Sequence, residues 1–82
     1  MPRYFFDIEN GGHHRDETGV ECRDLGEVCA IAMRTLPGIV GEEATESRRH
    51  VATVIARDEE GRPVFVTTLS LTGVWLIPRD DA

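Results

Sequence analysis

The opening segment, MPRYFFDIENGG, constrains the fold of this chain more than any other. From Arg3 to Glu9 the side chains alternate: Tyr4, Phe6 and Ile8 point one way, and Arg3, Phe5, Asp7 and Glu9 the other. A period of two residues is that of a strand with one face on a core. The run stops at Asn10-Gly11-Gly12. Asn-Gly is the favoured pair for a type I′ turn, whose two central residues both take positive φ. The chain is therefore expected to begin with a strand that enters a tight hairpin. Phe5 breaks the alternation, because it is an aromatic on the face that is otherwise charged.

The returning strand is expected within residues 13–22 as a short, partly irregular edge. HHRDET is polar, Gly19 interrupts the run, and only Val20 and Cys22 supply apolar alternates. Asp24 then opens a helix, with Glu27 three residues on in the manner of a capping box. Leu25, Val28, Cys29, Ala32 and Leu36 recur at helical spacing and form one apolar stripe. Pro37 has no amide to give the Met33 carbonyl, so the pattern predicts a kinked helix over 24–46, ending in an acidic stretch of Glu42, Glu43 and Glu46.

Residues 50–57 read as a third strand, 58–61 as a hairpin loop, and 63–71 as a fourth strand with Phe65, Leu69 and Leu71 on one face and Val64 and Val66 on the other. The fold class is thus α+β, with the order β-β-α-β-β: a four-stranded, mainly antiparallel sheet with one kinked helix packed on one face. A right-handed crossover places the first strand between the second and third, giving the sheet order 2-1-3-4 with the fourth strand at an edge.

Eighty-two residues make a single domain, 1–82, with 78–82 as a flexible polar tail. A net charge of −6 opposes phosphate neutralisation, so no nucleic-acid partner is expected. All nine basic residues are arginine, which removes Schiff-base and P-loop lysine chemistry. No stretch reaches the about 20 apolar residues of a membrane span, and the N-terminus lacks a signal peptide's apolar centre. No membrane partner is expected and a cytoplasmic location is, with Cys22 and Cys29 reduced.

One helix covers one face of such a sheet, yet the second face is not purely polar. Phe5 lies on it, and Val74, Trp75, Leu76 and Ile77 add apolar area beyond the fourth strand. Contiguous exposed apolar surface marks interaction sites. The alternative is that the C-terminal segment folds back over that face. The leading expectation is a non-enzymatic protein-interaction or regulatory module that self-associates as a homodimer or binds another protein, with Phe5 and Val74–Ile77 as anchors. The alternative is a small metal- or ligand-binding protein using His13, His14, Asp16 and His50. Adjacent histidines on a strand point to opposite faces, which weakens a shared metal site. Cys29 sits within the helix stripe as a small apolar residue, and the acid beside Cys22 raises rather than lowers a thiol pKa. Arg48-Arg49-His50 is the one basic cluster and is matched by the glutamates before it. No acid, base and nucleophile converge, so no catalytic residue and no cofactor are assigned.

MPRYFFDIENGG, DETGVEC-x-D-L, Arg34-Thr35-Leu36-Pro37 and the span from Val54 to Phe65 together resemble a family of small bacterial domains of unknown function, common in rhizobia and their relatives. The resemblance covers nearly the whole chain and implies no catalytic residue. His13-His14, Gly41 and the two cysteines depart from its pattern. A hairpin, an acidic cap and an amphipathic helix also open the small antitoxin-like domains, which bind a partner protein and often dimerise; that likeness is one of fold alone.

Overall fold

The computed structural model describes residues 1–43 and 49–78, residues 40–43 through their backbone only. The order is β1 (Arg3–Glu9), β2 (His13–His14), β3 (Val20–Glu21), α1 (Leu25–Glu43), β4 (Arg49–Arg57) and β5 (Pro63–Thr72). The sheet is antiparallel and runs β2-β1-β4-β5, with β3 also paired to β1. The α+β class, the central first strand and the last strand, β5, at the edge agree with the sequence reading.

The expected return strand is split in two. Ile8 pairs with His14 and Tyr4 with Val20, so the chain uses six steps to return where β1 uses four. The two extra residues bulge out between β2 and β3. The Asn10-Gly11-Gly12 turn also differs from expectation. Glu9 pairs with His13, leaving a three-residue loop, and of its residues only Gly11 has a left-handed backbone (φ 101°). Asn10 keeps negative φ, so the turn is not type I′.

Asp24 caps α1: its Oδ1 accepts the Glu27 N–H at 2.8 Å and its carbonyl accepts the Val28 N–H at 3.3 Å. Glu27 reaches one residue further back than a capping box requires, to the Arg23 N–H at 2.9 Å. The helix runs continuously past Pro37; the Glu46 end of the expected helix lies outside the described residues, as do Arg48 and residues 79–82 of the expected tail. Val28, Ala32 and Leu36 form the buried stripe. Leu25 does not join it and is 63% exposed, because it sits at the first turn, beyond the sheet's cover. Cys29 is half-buried on the flank, and Cys22 is the fully buried thiol.

The core is built from Phe6, Cys22, Val28, Ala32, Leu36, Ala52, Val54 and Ala56, with Tyr4, Ile8, Ile31 and Phe65 packed at its margin. This settles which alternate set of β4 faces the helix: Ala52, Val54 and Ala56 do, while Val51, Thr53, Ile55 and Arg57 turn to the other face. Alanines on both elements let the helix backbone approach the sheet closely. Few large side chains are therefore fully buried, and each contributes about 1.5–3 kcal/mol. Among the described residues no helix is long and apolar enough to cross a membrane.

Candidate interaction surface

The helix-free face is not open where Phe5 lies. The bulge between β2 and β3 folds over that end of β1 and is fastened by a polar network. Asp16 Oδ2 accepts the Phe6 N–H at 3.0 Å, and Oδ1 accepts the Thr18 and Gly19 N–H groups at 3.0 and 3.1 Å. The Asp16 N–H donates to Asp7 Oδ1 at 2.9 Å. Arg57, at the end of β4, donates from Nε to Asp7 Oδ2 at 2.8 Å and from Nη2 to the Asp16 carbonyl at 2.7 Å. Its guanidinium carbon stands 4.7 Å from the centre of the Phe5 ring.

Asp7 is only 6% exposed, and burial pushes its carboxyl up; the Arg57 guanidinium and the Asp16 N–H outweigh that and hold it below the usual value. Asp16 behaves alike: burial raises it, and the N–H groups of Phe6, Gly19 and Thr18 with the Arg57 charge bring it below the ordinary range. Gly19 closes the network. Its φ is +76°, and a Cβ there would stand 2.8 Å from Arg3 Cγ and 2.9 Å from Phe5 Cε2. Phe5 is thus half-buried beneath its own chain, not the centre of an open apolar face. Sequence reasoning missed this network. Its signals are Asp7 inside an apolar strand and Arg57 at the end of another.

The residues of the metal reading are not brought together. His13 and His14 are exposed on β2, and His13 Nδ1 lies 3.3 Å from Glu9 Oε1. His50 belongs to β4, paired with Leu71. Both Asp16 oxygens are taken by backbone amides. Among the described residues no group of three or more His, Cys, Asp or Glu is placed to hold a metal ion. Burial, then Glu27 and Asp24, push the Cys22 thiol up and away from nucleophilic use. An open cleft of about 310 Å³ lies between Pro2–Tyr4 and Asp58–Glu60; of its three acids, Glu59 accepts the Arg3 N–H and Asp58 is held by Arg62.

Exposed apolar surface collects elsewhere. Of the thirteen large apolar residues exposed among the described residues, eight lie in 64–77: Val64, Val66, Leu69, Leu71, Val74, Trp75, Leu76 and Ile77. Val74–Ile77 do not fold back over the sheet; Trp75 is 50% and Leu76 94% exposed. On the helix side of β5, Met33, Leu36, Pro37, Thr67, Thr68 and Leu69 line an apolar groove of about 110 Å³.

Comparisons with curated proteins and with solved structures gave no match. A family pattern does match, over residues 3–70, from the first residue of β1 nearly to the end of β5 and short of Val74. The chain belongs to that family, described as a domain of unknown function (DUF6894).

Proposed function

We infer that this chain is a non-enzymatic protein-interaction or regulatory module of the bacterial cytoplasm that self-associates as a homodimer. The observation that carries the reading is the concentration of exposed apolar side chains in residues 64–77. Patches of several hundred Å² are seldom left bare on monomers, and a domain of this length buries only about 60–65% of its chain surface by itself. A twofold dimer is the commonest way to complete such a surface. The net charge of −6 supports a protein partner over nucleic acid. Phe5 is packed under Arg57 at the far end of the sheet, and Val74–Ile77 remain as anchors. Sedimentation equilibrium across a hundredfold concentration range tests the reading. Twice the chain mass of 9.1 kDa is expected. A mass of one chain at every concentration overturns it.

A further inference from the structure

We propose that the free edge of β5 pairs antiparallel with β5 of a second copy, about a twofold axis at Leu71, and that the partner's Trp75 seats in the groove between α1 and β5. The proposal rests on the self-association reading and gives it a surface and a register.

The edge itself is the first argument. β5 runs ten residues, Pro63–Thr72, and among the described residues only β4 pairs with it. Natural sheets protect long edges with charges, internal proline or bulges. PVFVTTLSLT has no charge, its one proline is the first residue, and the only register shift of the hairpin lies at Ala56/Arg57. In a chain of net charge −6, this strip lets two copies meet without opposing like charges.

Area is the second argument. A stable interface buries roughly 800 Å² per partner, more than a ladder of strand hydrogen bonds supplies alone. The additional surface must come from side chains beside the edge, and those are Met33, Val66, Leu69 and Leu71 with Val74–Ile77. The molecule is correspondingly drawn out, 55 × 21 × 17 Å, with a radius of gyration of 15.7 Å, against about 12 Å for a compact domain of this length.

Register follows from the faces. Phe65, Thr67, Leu69 and Leu71 pair with Ala56, Val54, Ala52 and His50 and so stand on the helix side. Residues directly opposite in an antiparallel pair share a face. Centring the axis on Leu71, with residues 73–76 drawn out on pairing as a continuation of β5 past Thr72, sets Leu71 against the partner's Leu71, Leu69 against the partner's Gly73 and Thr67 against the partner's Trp75. The small Gly73 leaves room above Leu69, and the indole falls on the groove of Met33, Leu36, Pro37 and Thr67. On the other face, exposed Val66 meets the partner's Leu76.

Trp75 is the sole tryptophan, so its emission reports the seat directly. Dilution of the full chain through its dimer–monomer transition is expected to shift that emission to the red, and Leu71→Lys to give a red-emitting monomer with unchanged far-ultraviolet circular dichroism. Nitroxides on Leu71→Cys, in a Cys29→Ala background, are expected within about 20 Å of each other. On Val64→Cys they are expected more than about 40 Å apart, because fourteen strand positions at about 3.3 Å separate the two sites in this register. A chain that is monomeric throughout removes self-association and this proposal with it. A dimer whose Trp75 emission is indifferent to dilution, whose labels at 64 are the closer pair, or that survives Leu71→Lys overturns the β5 edge while self-association stands.

Discussion

Asp16 accepts the main-chain N–H of Phe6 at 3.0 Å, so a side chain occupies the place of a neighbouring strand at the middle of β1. The two-residue excess of the return path makes this necessary, since β2 and β3 cannot both pair in register and also reach Phe6. Asp16→Ala leaves that part-buried amide without its partner, whereas Thr18 N–H is exposed and water replaces the lost carboxylate. A loss of about 2–3 kcal/mol is expected, the range for hydrogen bonds to charged groups. Asp16→Asn, which retains one carbonyl oxygen, is expected to lose less. Urea denaturation of the two variants measures both, and equal losses would show that the oxygen Asn retains contributes nothing without the charged carboxylate.

Gly19→Ala tests how tightly the bulge closes on Phe5. The new Cβ meets Arg3 Cγ at 2.8 Å and the Phe5 ring at 2.9 Å, on a backbone with φ +76°. Arg3 can swing aside; Phe5 is held under Arg57. Left-handed strain costs about 1–2 kcal/mol, and displacement of the ring adds to it. Gly11→Ala carries a positive φ with nothing within 4 Å and isolates the strain. Thermal melts are expected to rank Gly19→Ala well below Gly11→Ala. Matching melting temperatures would mean that Phe5 yields freely.

The contrast between those glycines shows how far the sequence could be read. Tyr4, Phe6 and Ile8 face the helix because alternation in β1 is a local property, and the helix cap at Asp24 is fixed by residues three apart. The sheet order followed from one crossover rule. What escaped was non-local. Nothing near Asp7 in the sequence announces that Arg57, fifty residues on, will neutralise it. Once that pair forms, the face expected to be open at Phe5 is filled by the chain itself. The β4 face was equally undetermined, since Val51, Thr53 and Ile55 are as apolar a set as Ala52, Val54 and Ala56; the close approach of Ala32 selects the smaller one. The C-terminal anchors were legible as apolar residues, but their exposure depends on where β5 ends.

The network makes the fold acid-sensitive. Asp7 and Asp16 both have carboxyls held below their ordinary value, near about 3.9 in an unfolded chain. A lowered folded value means that the unfolded state binds protons first as pH falls. The stabilisation is therefore complete above about pH 4 and is lost as pH drops through the lower folded values. Urea midpoints are expected to be flat from pH 7 to 5 and to fall between pH 4 and 2.5. Asp7→Asn is expected to start from a lower plateau and fall less. A wild-type midpoint that stays level to pH 2.5 would show that these carboxyls titrate alike in both states.

Arg57 does three things at once, and its substitutions separate them. It neutralises Asp7 through Nε, holds the Asp16 carbonyl through Nη2, and lies over the Phe5 ring. Both charged side chains are nearly buried, at 12% and 9% exposure. Arg57→Ala strands a buried carboxylate, and losses of about 3–5 kcal/mol follow when one member of such a pair is removed. Arg57→Lys keeps the charge, but an ammonium is a point donor with no planar face, so it cannot span Asp7 and Asp16 while stacking on Phe5. An intermediate loss is expected. Asp7→Ala with Arg57→Ala removes both charges, and the combined loss is expected to fall short of the summed single losses by about 0.5–3 kcal/mol, the coupling of groups in direct contact. Simple additivity in that cycle would reduce the 2.8 Å contact to coincidence and leave the Phe5 stack as the reason Arg57 matters.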